Sequence, residues 1–391
     1  MKIILPAGHG DLTHYTLKTT DDHVVPPLAN DAFNRVAYAA PHIVVDPTRH
    51  YEPRSHCPAI DWDKTLGIRS YLYSLGFKVA EAMDTAQRGM GLGWATAWDL
   101  IRRSVSHARA IPGADLACGA GTDQLDDRRR HSLSGIVQAY KQQFEAIESA
   151  GGRAIMMAST ALCAAARDAD DYKNVYDAVI AERRNPVILH WLGDAFNSAL
   201  AGYWGSRDVH EAMETVLDIV RLHASKIEGI KISLLNAEYE RELRARLPAG
   251  VKMYTGDDFN YCDLIAGDST GDSHALLGIF SAIAPVAAKG LAHLAQGDLA
   301  AYRGAMVPTV ALSREIFRAP TQYYKAGVCF LAWLNGHQDH FSMAFGMEST
   351  RSMLHFAEVF KKADACGALI KPELAVQRMK ALLQLRAGIE Q

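Results

Sequence analysis

Lys231 lies inside an apolar, strand-like segment, Glu228-Gly-Ile-Lys-Ile-Ser-Leu-Leu-Asn236. A side chain there points into protein, where an ammonium is costly to desolvate. Burial lowers a lysine's pKa, and a neutral lysine amine attacks carbonyl carbon. The alternative is a strand-end lysine whose amine reaches solvent or pairs with a carboxylate, since lysine is rarely buried without a partner. Two histidine groups raise a different chemistry: His9, His14 and His23, and the stretch Gly336-His-Gln-Asp-His340. Imidazole and carboxylate together suit zinc or manganese. Both groups fall outside the strand-like runs, where histidines serve as polar loop residues, so no metal and no cofactor is assigned.

Composition narrows the classes. The chain has 391 residues, 49% hydrophobic and 22% charged, which suits a globular enzyme with a large core. A net charge of −3 and no long basic block argue against a nucleic-acid partner. No apolar run reaches the length of a membrane span, and the N-terminus lacks a signal-peptide pattern, so a cytoplasmic protein is expected. Six scattered cysteines without a Cys-x-x-Cys pair read as reduced thiols.

Short apolar runs alternate with amphipathic ones along most of the chain. Strands are expected at residues 41–46, 77–83, 114–118, 153–158, 186–191, 229–235, 251–255 and 275–283. Helices follow at 61–75, 95–110, 134–150, 172–184, 209–224, 237–247 and 260–266, and helical sequence continues from the last strand almost to Gln391. Asp61 and Gly76 supply start and stop signals for the first helix. Eight such units favour a closed α/β (β/α)₈ TIM barrel over an open sheet, and the loop at 88–93 does not fit a dinucleotide fingerprint. The division expected is an N-terminal extension with one hairpin at 1–40, the barrel at 41–300, and a C-terminal helical region at 301–391. That last region would pack on the barrel or build a homo-oligomer interface. Its Tyr323, Tyr324 and Trp333 read as packing residues.

The C-terminal ends of barrel strands surround the active site. Those positions carry Asp46, Asp84 and Thr85, the Gly119–Asp123 turn, Ser159 and Thr160, His190 and Asp194, Lys231 and Ser233, and Gly256 to Asp258. Acids, hydroxyls, one histidine and one lysine thus converge beyond apolar strands. Asp84 and Asp257 are also good turn residues, and His190 also fits a satisfied core position.

From about residue 40 to 320 the chain resembles the dihydrodipicolinate synthase / N-acetylneuraminate lyase superfamily of class I aldolases and related lyases. The resemblance rests on Glu228-Gly-Ile-Lys-Ile-Ser, Tyr254-Thr-Gly-Asp-Asp258, Ile283-Ala-Pro285, Asp115-Leu-Ala-Cys-Gly-Ala-Gly-Thr-Asp123 and Pro186-Val-Ile-Leu-His190, in that family's order. It implies that Lys231 is a Schiff-base lysine and that Gly256 offers backbone contact to substrate. Two departures stand out. Where the family has Gly-Thr-Thr-Gly-Glu, this chain has Ala82-Met-Asp-Thr-Ala-Gln-Arg88, and Asp84 suits sugar hydroxyls better than a carboxylate. Where the family has a tyrosine-bearing strand end, this chain has Met156-Met-Ala-Ser-Thr-Ala161.

The expected function is a class I lyase, of aldolase or dehydratase type, acting through Lys231 on a keto sugar, sugar acid or related 2-oxo compound. His190 and Asp84 are the expected proton-moving groups. Thr85, Ser159, Thr160, Ser233, Gly256 and Asp257 are the expected substrate contacts. The alternatives are a metal-dependent barrel isomerase, epimerase or lyase using Asp84, His190 and Asp257, and a non-catalytic small-molecule-binding protein on the same scaffold.

Overall fold

The computed structural model describes residues 1–18, 21, 27, 28, 32–50, 52, 55–126 and 128–391. An antiparallel hairpin of β1 (Lys2–Pro6) and β2 (Leu12–Thr16) comes first. Eight parallel strands then close into a barrel: β3 (Ala37–Ala39), β4 (Lys78–Glu81), β5 (Leu116–Ala120), β6 (Arg153–Met156), β7 (Val187–Leu192), β8 (Ile227–Ser233), β9 (Lys252–Thr255) and β10 (His274–Leu277), with β10 pairing back onto β3. The helices on the outer face are α1 (Trp62–Ser74), α2 (Trp94–Arg109), α3 (Leu133–Ser149), α4 (Thr160–Ala165), α5 (Ala169–Ile180), α6 (Val209–Leu222), α7 (Ala237–Arg246) and α8 (Tyr261–Ala266). After β10 come α9 (Ala284–Ala295), α10 (Leu299–Ile316), α11 (Tyr324–Leu334), α12 (Met353–Ala365) and α13 (Pro372–Ala387).

Local chemistry accounts for the helix starts. The side chains of Asp61, Ser132, Asp208 and Asn236 each accept a backbone N–H of the first turn of α1, α3, α6 and α7. Gly76, with φ of 85°, turns the chain out of α1 into β4 as its sequence position suggested.

The first strand is not where the apolar pattern placed it. Residues 41–46 make no ladder pairing in the barrel; Val45 forms only an isolated antiparallel bridge to Ile60. Ala37–Ala39 takes the position between β4 and β10 instead, so the barrel begins within the segment assigned to the N-terminal extension. Both stretches are apolar and buried, and only hydrogen-bonding partners far along the chain distinguish them. The last strand also stops early, at Leu277, and the apolar run to Ile283 continues as a short 3₁₀ turn leading into α9.

Within the barrel, Ala80, Ala117, Ile155, Ile188 and Leu276 fill the middle. The lower end is closed by polar groups. Arg153 pairs with Asp115 at 2.7 Å and Glu228 at 2.8 Å, and Tyr254 donates to Glu228 at 2.7 Å. The upper end carries the C-terminal ends of the strands. There the C-terminal helices meet the loop after β4: Thr85 Oγ1 and Tyr324 Oη are 2.8 Å apart, and Gln87 donates to the Ala344 carbonyl at 2.8 Å.

That loop is anchored from below by a buried ion pair. Arg69 on α1 makes two bonds of 2.9 Å to the carboxylate of Glu81 at the end of β4, and neither side chain is exposed. Burial raises a carboxyl's pKa, but the Arg69 charge outweighs that and holds Glu81 below its usual range. Glu81 also accepts the N–H of Ala82, whose φ of 52° is unusual for a residue with a side chain. The pair therefore fixes the turn that delivers Asp84 and Thr85 to the barrel mouth. Arg69→Leu leaves Glu81 buried and unpaired, and removing one partner of such a pair costs about 3–5 kcal/mol. The expected outcome is a large fall in thermal midpoint; an unchanged midpoint by calorimetry would show the pair is not the anchor.

Candidate active site

Lys231 lies on the inner face of β8, opposite His190 on β7 and Tyr254 on β9. The residue is 9% exposed, and its amine makes no hydrogen bond or ion pair with any described residue. Burial pulls its pKa below the ordinary lysine range, while the negative charges of Asp258 and Asp84 oppose that shift. The carboxylates lie near enough to act through the field without forming a contact pair. An unpartnered, desolvated amine is the state in which lysine is nucleophilic.

The amine faces a narrow cavity of about 10 Å³, lined by Ala40, Asp84, Leu192, Lys231, Asp258 and Tyr324, with Met83, Thr85, Phe196, Ser233 and Gly278 completing its wall. Such a volume holds about one water, so a substrate enters only as the wall side chains move apart. Two glycines make the space. A Cβ on Gly256 would lie 2.2 Å from Ser233 Oγ and 2.5 Å from Lys231 Cε, so only glycine lets the lysine side chain pass. A Cβ on Gly278 would press on Phe317, Tyr324 and Thr85 at 3.2–3.3 Å. Among the described residues, two wider surface depressions elsewhere hold no buried lysine or carboxylate.

Several expected site residues thus come together: Lys231, Asp84, Thr85 and Ser233 on the cavity wall, with Gly256 directly beneath the lysine. Others do not reach the cavity. His190 is fully buried behind Ser233, its Nε2 3.4 Å from the serine hydroxyl and its Nδ1 without a partner. Burial and the neighbouring lysine charge hold its pKa well below the usual histidine range, so the ring is neutral. Asp257 uses both carboxylate oxygens on its own turn, accepting from Phe259 N–H, Asn260 N–H and Asn260 Nδ2. Ser159 caps α4 and bonds Thr122 at 2.6 Å, and Thr160 begins that helix; neither lines the cavity. The histidine groups do not converge. His337 packs on Tyr71, Asp339 pairs with Lys64, His340 accepts from Ser342, and His23 lies outside the described residues. Among the described residues no group of three or more His, Cys, Asp or Glu is placed to hold a metal.

Two polar residues of the cavity wall, Asp258 and Tyr324, were not assigned to it from sequence, and a buried lysine, Lys325, stands next to them. Asp258 is buried on the cavity wall, where burial lifts its carboxyl to about 7 against the opposing charge of Lys231. Tyr324, read as a packing residue, stacks on Phe317 at 4.3 Å and presents its hydroxyl to Thr85. Lys325 beside it is 2% exposed, and burial lowers its pKa to about 8 with Asp84 opposing. Asp258 had a signal, being next to Asp257 at a strand end. Tyr324 and Lys325 had none, because they reach the mouth from a helix more than two hundred residues from Asp84.

The tight fit at Gly256 can be tested. Gly256→Ala should displace the Lys231 side chain and slow its reaction with carbonyl compounds by about 100-fold, the scale expected for a misplaced reacting group. Competition rates with a carbonyl reagent, beside an unchanged circular dichroism spectrum, measure this; an unaltered rate would mean that the lysine occupies another path.

The barrel has the architecture of solved dihydrodipicolinate synthase structures. A putative dihydrodipicolinate synthetase from Pseudomonas aeruginosa superposes with a TM-score of 0.63 at 13% identity, covering 87% of this chain and 99% of that one. Dihydrodipicolinate synthase from Aquifex aeolicus gives 0.61 at 12% identity, covering 90% and 97%. YagE, a prophage protein of the dihydrodipicolinic acid synthase family from E. coli K12, seen in complex with pyruvate, gives 0.63 at 12% identity, covering 90% and 98%. At these identities the likeness is one of fold. Among curated proteins, none matches the chain significantly. The family model described as "Protein of unknown function (DUF993)" matches residues 3–389, and the chain belongs to that family.

Proposed function

We propose that the protein is a class I lyase, of the carbon–carbon or carbon–oxygen cleaving kind, that captures a small carbonyl substrate on Lys231. The observation that carries this reading is the lysine's amine: buried, without a partner, and facing a closed polar cavity at the C-terminal end of a barrel. A structural lysine in such a place would need a contact pair, and there is none among the described residues. Attack on a ketone or aldehyde carbon gives, after loss of water, an iminium that draws electrons from the neighbouring bond.

The cavity also favours a class of substrate. Asp84 and Asp258 flank the amine, and among the described residues Lys231 is the only cationic side chain on the wall, Lys325 donating instead to the Gln322 carbonyl at 3.1 Å. Two carboxylates accept hydrogen bonds from hydroxyls and repel anions, so a hydroxylated keto compound, such as a short keto sugar, fits better than a simple 2-oxo acid. Thr85 and Ser233 add hydroxyl partners. His190 acts in this reading only through Ser233, orienting its hydroxyl. No described helix is long and apolar enough to cross a membrane. Six unpaired cysteines fit a reducing compartment, so we place the protein in the cytoplasm.

Borohydride reduction in the presence of dihydroxyacetone, hydroxyacetone or pyruvate should load one adduct on Lys231, located by peptide mass spectrometry. Lys231→Ala should lose it entirely. Because the amine titrates below the ordinary lysine range, wild-type trapping should persist at a pH where exposed lysines are unreactive. Absence of an adduct across all three carbonyl compounds, or an equal adduct in Lys231→Ala, overturns the reading.

A further inference from the structure

A lysine that forms an iminium cannot complete a lyase reaction alone. A proton must reach the departing hydroxyl of the carbinolamine, and a base must take a proton from substrate. We propose that Asp258 is the acid and base for the chemistry of Lys231, an assignment that rests on the function proposed above.

The geometry singles it out. Asp258 is 4% exposed and lies on the wall of the same cavity as the lysine. Its position is held from two sides: Oδ1 accepts the N–H of Ile279 at 3.1 Å, and its carbonyl accepts the Ser313 hydroxyl at 2.5 Å. The second carboxylate oxygen has no hydrogen-bond partner among the described residues, which leaves it for the substrate. Competing groups are otherwise engaged. Asp257 is consumed by its turn, and His190 stands behind Ser233. The Tyr324 phenol bonds Thr85, and burial together with the Asp84 charge keeps it far above its usual range, so it retains its proton.

The ionisable groups around Asp258 are Lys231 on β8, its neighbour Asp257, Tyr261 on α8, and Tyr324 on α11. Among them only Lys231 favours the carboxylate, helped by the Ile279 N–H. Burial wins, and the group titrates near 7, where both its forms are available to catalysis.

The steps balance without a further reactant. The amine of Lys231 adds to the carbonyl carbon, and its proton passes to the oxygen. Protonated Asp258 gives its proton to that hydroxyl, which leaves as water as the C=N⁺ bond forms. The Asp258 carboxylate then removes a proton from the carbon beside the iminium, and the C–H electrons become the enamine double bond. In the cleavage direction it takes the proton of the β-hydroxyl instead. The carbon–carbon bond breaks into the iminium, releasing an aldehyde and the same enamine.

Hydroxyacetone in D₂O tests this, because enamine formation exchanges its α-protons. Wild-type protein should catalyse exchange, followed by ¹H NMR, with a rate that changes with pH around a midpoint near 7. Asp258→Asn should form the borohydride adduct on Lys231 more slowly, and should lose exchange by about 100-fold or more. Asp258→Glu should restore part of the rate with a displaced midpoint. Exchange undiminished in a trapping-competent Asp258→Asn protein overturns the assignment while leaving the lysine's role intact. If that variant fails to fold, a wild-type exchange rate that is flat across this pH range overturns it equally. No Lys231 adduct in the wild type defeats the underlying reading and this one together.

Discussion

An amine held without a partner on the inner face of β8 is the constraint around which the upper end of the barrel is arranged. Desolvation favours the neutral form, and two carboxylates at a distance pull the other way. A contact ion pair would give a fully protonated, inert lysine. Complete isolation would make the site hard to fill with anything polar. The arrangement lies between: Asp84 and Asp258 shape the field, Gly256 gives the side chain room, and no described residue quenches the amine.

Holding that balance requires the surrounding loops to stay in place. The Arg69–Glu81 pair secures the Ala82 turn from inside, so the loop bearing Asp84 and Thr85 leaves β4 in one direction. From outside, α11 closes the same loop through Tyr324, and the stretch after it through the Ala344 carbonyl. The hairpin of β1 and β2 in turn docks on α12, where Tyr15 donates to Asp364 at 2.6 Å. The C-terminal helices are thus part of the site. They supply one wall of the cavity, with the Phe317–Tyr324 stack standing on the side where β3 and β10 are followed only by Ala40 and Gly278.

The same dependence explains which features could be read from the chain. Alternating periodicity located eight strand–helix units because burial repeats locally along each element. The cap residues Asp61, Ser132, Asp208 and Asn236 act on their own first turns. The first strand was misplaced, since residues 41–46 and Ala37–Ala39 are equally apolar and differ only in the strands they meet. In the site, Lys231, Asp84, Thr85, Ser233 and Gly256 sit at strand ends, a position the barrel fold makes informative. Asp257 and Ser159 occupy similar positions, yet their side chains serve local turns and caps, an outcome their residue types equally allow.

The sequence by itself determined the barrel, the strand that carries the lysine, and the acids and hydroxyls that crowd the strand ends, because each follows from residue order within a few turns of chain. Only the tertiary structure decided that the amine has no partner, that Asp258 rather than Asp257 faces it, and that a tyrosine from α11 closes the cavity. Those facts depend on distances between segments up to about two hundred and forty residues apart, such as Thr85 and Tyr324. Desolvation is likewise set by everything packed around a group, so it has no local signature in the chain.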